Sequence, residues 1–181
     1  MLVVVMDPVE PNNLHRVFAY GSNMHLADLR RWALENGLTP PRILHSHGAI
    51  LRGYALVWNY RSVARRGGAA NVGPSSRSRV IGVVMEVDQA TLALFDSKEG
   101  HPGRYSRGTA PLKLVSLDSG ETMSAWVYRV GERWLCEDVV RPTSKYRALL
   151  VEAARQHGLP EDYIEELEAI PVIGADRISL G

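Results

Sequence analysis

With 181 residues, 45% hydrophobic and 23% charged, the chain has the size and composition of one soluble globular domain able to bury a core. A net charge of +1 gives no overall case for nucleic acid or a membrane surface as partner. The single cysteine, Cys136, excludes an internal disulfide and a thiol pair for a metal or redox centre, which is compatible with a reducing cytoplasm.

Met1 to Met6 is apolar, but Asp7, Pro8 and Glu10 end the run, which has no basic leader and is too short to span a membrane. An early strand or a loosely held arm is expected there. Val17-Phe18-Ala19-Tyr20 then runs as a short apolar strand into Gly21-Ser22-Asn23, and Met24 leads into an amphipathic segment from His25. Strand, tight turn and helix in succession leave backbone N–H groups unpaired and pointing into one small space. Gly21 lets the backbone bend or approach a ligand closely, and Ser22 and Asn23 are good N-caps. Taken alone, the stretch reads as a well-capped helix start.

The helix expected over His25 to Asn36 puts Leu26, Leu29, Ala33 and Leu34 on one face and Arg30, Arg31 and Glu35 opposite. Gly37 and Pro40-Pro41 end it. Ile43 to Leu51 and Tyr54 to Tyr60 read as two strands joined near Arg52-Gly53. Arg61 to Arg79 reads as a long loop interrupted by Ala69 to Val72, and Val80 to Val87 as a strand. Asp88 caps a short helix, Gln89 to Ser97, with Leu92, Leu94 and Phe95 apolar, which Lys98 to Gly103 breaks. Arg104 to Leu117 and Glu121 to Val130 form a hairpin around Asp118-Ser119-Gly120. Helices over Thr143 to His157 and Pro160 to Ala169 finish the ordered part, with the tail after Pro171 peripheral. Without a repeat or a linker, residues 1–181 read as one domain. Strands in adjacent pairs predict an α+β fold, a mixed, largely antiparallel sheet or small barrel with helices packed outside.

Glu99 is the most suggestive carboxylate. At the end of a short helix, beside Leu94 and Phe95, it would be partly stripped of water and suited to passing a proton between amines. Its bland reading is a solvated side chain at a helix end, where negative charge opposes the macrodipole. His45 and His47 alternate along a strand, but two imidazoles are too few for a closed zinc site. His101 reads as a loop histidine, and Cys136 has no neighbour that would activate it. From Arg42 to Met85 there are seven arginines and no acid. Arg61, Arg65, Arg66, Arg77 and Arg79 flank a Gly-rich loop that either binds a polyanion or is a solvated basic loop. Tyr105, Tyr128 and Tyr146 could orient a polar ligand or sit at the edge of the core.

In this order, Phe18-Ala19-Tyr20-Gly21-Ser22-Asn23-Met24, Gly68 to Val72, Lys98-Glu99-Gly100 and Tyr105 resemble the γ-glutamylcyclotransferase family, including γ-glutamylamine cyclotransferases and the avirulence-induced-gene-like proteins of plants. Gly158 to Tyr163 with Leu167 to Ile170 is similar to the end of the glutathione-pathway members. The match spans about residues 16 to 170. The resemblance implies a small mixed, largely antiparallel β-barrel flanked by helices. It also implies conversion of a γ-glutamyl amide to 5-oxoproline and a free amine, with the substrate's own α-amino group as nucleophile and no metal or cofactor. Glu99 matches the family's proton-transferring glutamate. Tyr20, Gly21, Ser22 and Asn23, extended by Met24 and His25, match the loop cradling the γ-glutamyl group. Tyr105 and Tyr146 match tyrosines that shape the pocket and contact substrate.

The implied partner is a small γ-glutamyl molecule, with no nucleic acid and no membrane, in a cytoplasmic protein that the animal members suggest is a homodimer. The loop Gly100 to Arg104 departs from the animal enzymes, which leaves the leaving amine open. Two other readings stand beside this one: a non-catalytic module binding a γ-glutamyl or carboxylate ligand, and a polyanion binder using Arg61 to Arg79.

Overall fold

Two long strands carry the architecture of the computed structural model, which describes residues 14–174. Strand β2, Ile43–Val57, pairs antiparallel with β5, Asn71–Val87, along nearly their whole length. The first strand, β1, His15–Ala19, adds to the other edge of β5 with Phe18 opposite Val84. On the far side β2 pairs with β7, Leu112–Ser116, which turns back into β8, Thr122–Ala125. The order is therefore β1-β5-β2-β7-β8, all antiparallel.

The sheet does not end in two free edges. Just past β8, the Phe18 N–H donates to the Trp126 carbonyl and the Trp126 N–H donates to the Arg16 carbonyl, both at 2.8 Å. That parallel bridge between Val17 and Trp126 returns the last strand to the first and closes a small barrel. Two short pairs lie outside it: β3, Arg61–Ser62, with β4, Gly67–Gly68, and β6, Tyr105–Ser106, with β9, Arg129–Val130.

Among the described residues four helices surround the sheet: α1, Leu26–Glu35; α2, Gln89–Glu99; α3, Ser144–Gln156; and α4, Glu161–Glu168. Their starts follow local chemistry. The Asp88 carboxylate caps α2 by accepting from the Thr91 N–H at 2.8 Å, and the Thr143 hydroxyl caps α3 by accepting from the Tyr146 N–H at 3.1 Å. Phe18, Met85, Phe95, Leu114, Leu150 and Ile164 are fully buried in one core shared by barrel and helices. None of the helices among the described residues is long and apolar enough to cross a membrane.

Three expectations need correction. The two strands expected on either side of Gly53 are one strand, β2, with a register shift between Arg52 and Tyr54. The expected loop before Val80 is mostly strand: β5 begins at Asn71, because Tyr54–Val57 offers it a paired edge. Its Ser75 to Arg79 are all partly or fully exposed, where polar side chains are at home. Leu34 is 63% exposed, so the buried face of α1 is Asp28, Leu29 and Ala33. The apolar run at residues 1–6 and the end of the tail lie outside the described residues.

Candidate active site

Strand β1 ends at the floor of a cavity of about 520 Å³. Beyond it Gly21 leads into a single 3-10 turn, Ser22–Met24, before α1. The turn closes when the Met24 and His25 N–H groups donate to the carbonyls of Gly21 and Ser22, each at 3.0 Å. Among the described residues the N–H groups of Gly21, Ser22 and Asn23 have no intramolecular acceptor. Three donors therefore remain at one concave bend, a nest suited to an anion. A Cβ on Gly21 would lie 3.3 Å from both the Ala70 Cβ and the Tyr146 hydroxyl, so the absence of a side chain is what leaves the bend open.

Helix α2 points its last residue at this turn. Gly100, at φ 67°, ends the helix in the left-handed conformation, and the chain folds away directly after Glu99. The Asn23 Nδ2 donates to the Glu99 Oε1 at 2.7 Å, and the Lys98 Nζ donates to the Asn23 Oδ1 at 2.5 Å. Burial holds the Lys98 ammonium below its ordinary range, against the upward pull of the Glu99 charge. Among the described residues no arginine or lysine lies within 4 Å of the Glu99 carboxylate. A carboxylate so placed is oriented by an amide without being neutralised.

Buried tyrosines build the inner wall. Tyr20 donates to the Tyr128 carbonyl at 2.5 Å, and Tyr105 donates to the Ala70 carbonyl at 2.8 Å. The Tyr146 hydroxyl accepts from the Ala70 N–H at 3.4 Å and lies within hydrogen-bonding reach of the Ser22 side chain. Burial first, then the Glu99 charge, pushes Tyr20 well above the usual phenol range. Burial does the same to Tyr105 and, against the pull of Ala70, Arg65 and Ser22, raises Tyr146. All three stay neutral.

Of the residues predicted from sequence, Tyr20, Gly21, Ser22, Asn23, Glu99, Tyr105 and Tyr146 line this one cavity. Met24 does not: it is fully buried behind the turn, and its carbonyl pairs with His157 at 2.8 Å. His25 caps α1 by accepting from the Asp28 N–H. His45 is exposed, His47 lies against the Met123 sulfur at 3.2 Å, and the Cys136 N–H donates to the Asn59 carbonyl. No group of three or more His, Cys, Asp or Glu among the described residues could hold a metal.

Sequence reasoning missed several lining residues: Arg65, Lys98, Asp28, Tyr60 and Arg104. Arg65 does not serve a basic loop. Its guanidinium grips the buried Asp28 carboxylate at 2.6 Å and lies 5.4 Å from the centre of the Tyr146 ring. Arg79, from the same basic segment, pairs instead with Glu166 at 3.0 Å on α4. Arg65 and Arg79 thus face different partners, one at the cavity and one on α4. The one signal for Arg65 was a lone buried-phase acid, Asp28, on the apolar face of α1.

A family model described as gamma-glutamyl cyclotransferase, AIG2-like, matches residues 17–148. A protein of Methanocaldococcus jannaschii, named as a candidate gamma-glutamylcyclotransferase, is 47% identical over 53 residues, 28% of this chain and only 40% of that protein's length. The gamma-glutamylcyclotransferase of Bos taurus is 25% identical over 165 residues, 84% of this chain and 77% of the bovine one. A solved structure named gamma-glutamyl cyclotransferase superposes with a TM-score of 0.73 at 22% identity, over 89% of this chain and 90% of that one, a likeness of fold. The cavity-lining turn, Glu99 and Tyr146 all fall within the matched stretch, and the chain belongs to the gamma-glutamyl cyclotransferase, AIG2-like family.

Proposed function

We propose that this protein is a γ-glutamyl cyclotransferase that converts a γ-glutamyl amide to 5-oxoproline and a free amine. The observation that carries the reading is the placement of Glu99 against a turn with three open N–H donors, inside one cavity. The substrate α-carboxylate sits on the N–H groups of Gly21, Ser22 and Asn23. Holding it there bends the chain so that the α-nitrogen meets the γ-carbonyl carbon, which is catalysis by proximity.

Glu99 takes a proton from the α-ammonium, and the freed nitrogen attacks the γ-carbon. The new C–N bond closes the five-membered ring and places negative charge on the carbonyl oxygen, which nearby dipoles steady. Glu99 then returns the proton to the departing nitrogen as the old C–N bond breaks, and relays the second proton of the ring nitrogen to the freed amine, which leaves as an ammonium. Two protons leave the α-nitrogen and two reach the departing nitrogen, so the reaction consumes no water. Purified protein incubated with a panel of γ-glutamyl amides should release 5-oxoproline from at least one. Binding of such amides with no product from any would favour a sensor on the same fold.

A further inference from the structure

A second cavity, of about 700 Å³, opens where β2 and β5 face α4, and it shares no lining residue with the first. Leu56, Trp58, Leu167 and Ile170 supply its apolar lining. A space of this size suits a small organic molecule.

Its polar lining is unevenly matched. Arg52 and Arg79 are opposed across the β2–β5 ladder, and Arg77 stands two residues along β5, so the three side chains leave the sheet on one face and all line the cavity. Like charges directly opposite one another destabilise a sheet, and here only one of the three is answered. Arg79 donates to Glu166 at 3.0 Å and lies 3.4 Å from Asp162. Among the described residues, Arg52 and Arg77 have no acid within 4 Å and no side-chain hydrogen bond. Two guanidiniums therefore line the cavity without a counter-charge. Tyr163, which lines it too, is buried, and its phenol proton has no acceptor among the described residues. The Ile81 N–H beside that hydroxyl can only donate to it.

These groups define the ligand they would take. Two guanidiniums and a phenol O–H are all donors, so their complement is an anion rich in acceptors. Two unmatched positive charges favour a dianion over a carboxylate, and a phosphate monoester supplies both charges and three terminal oxygens. The apolar lining asks for carbon attached to that head. We infer that the cavity between the β2–β5 pair and α4 is a second binding site, one that takes a phosphate monoester with an apolar body. Arg52 and Arg77 hold the phosphate, and the organic part lies along Leu56 and Trp58.

The test is calorimetric titration with phenyl phosphate, inorganic phosphate and benzoate at about pH 8, where the monoester carries two charges. Phenyl phosphate should bind about tenfold more tightly than benzoate, which lacks the second charge, or inorganic phosphate, which lacks the ring. The double variant Arg52→Gln, Arg77→Gln, whose positions are both exposed, should weaken phenyl phosphate by about tenfold or more. Gly21→Val, which alters only the first cavity, should bind it like wild type. No binding of phenyl phosphate, equal affinity for all three probes, or an affinity unchanged in the double variant overturns the inference. Binding lost in Gly21→Val assigns the anion to the first cavity and overturns it equally. Turnover plays no part in this titration, so its result is independent of whether 5-oxoproline is formed.

Discussion

The side-chain amide of Asn23 donates to Glu99 at 2.7 Å across 76 residues of sequence. The same amide accepts from the Lys98 ammonium, so flipping it would set an NH₂ against a cation. The turn after β1 and the end of α2 are joined through this one group.

Glu99→Gln keeps an acceptor facing Asn23 and removes only the capacity to carry a proton. The variant is expected to fold and to bind γ-glutamyl amides like wild type, while releasing 5-oxoproline roughly 10²–10⁴-fold more slowly. Steady-state rates beside calorimetric binding check it. Wild-type turnover would take Glu99 out of the reaction.

Lys98→Met frees the Asn23 amide to rotate, and kcat should fall by about tenfold as Glu99 loses its fixed orientation. A stability signature accompanies it. Burial holds Lys98 below its ordinary value of 10.5, so the folded state disfavours the charged ammonium. That penalty is full below the folded value and is relieved as pH rises toward 10.5. Urea unfolding of both proteins across this window should show wild type gaining on the variant as pH rises. A constant difference would contradict the burial.

Much of this was legible in the chain. The Asp88 and Thr143 caps, the Gly100 stop and the strand entering Tyr20–Asn23 follow from residues next to one another. What was not legible depends on partners distant in sequence. Arg65 looked like one member of a basic loop because its carboxylate, Asp28, lies 37 residues earlier on another element. The first half of β5 looked like loop because its Ser and Arg residues are strand-compatible only when Tyr54–Val57 supplies the neighbouring edge. Met24 shared a motif with the cradle, yet a turn sends consecutive side chains to opposite sides, and this one enters the core.

Asp28→Asn tests the ion pair beneath the cavity rim. Burial works to raise the Asp28 carboxyl, but Arg65, with Lys98 and Arg31, outweighs it and holds the group below its ordinary 3.8. A depressed carboxyl stabilises the fold above its unfolded value and loses that contribution as pH falls through the folded one. The variant should be less stable by about 3 kcal/mol at neutral pH, since Arg65 is left without its acid. The gap should hold down to about pH 4 and close below it. Chemical denaturation midpoints between neutral and acid pH measure this, and a gap independent of pH would reject the ion pair as its source.

Gly21→Val probes the nest itself. The first carbon added would already meet Ala70 and the Tyr146 hydroxyl at 3.3 Å, closer than comfortable contact. The two further methyl groups must then occupy the space over the Gly21–Asn23 donors or displace Tyr146. On the proposed reading the α-carboxylate rests on the nest equally in ground and transition states, so losing the nest should act on KM more than on kcat. A rise in KM of roughly tenfold is expected for Val, with Gly21→Ala intermediate, since each buried charge-assisted hydrogen bond is worth about 1.5–3 kcal/mol. Glu99→Gln should show the reverse split, with KM kept and kcat lost. If Gly21→Val instead lowered kcat at unchanged KM, the turn would be positioning Glu99 through Asn23 and the substrate carboxylate would be held elsewhere.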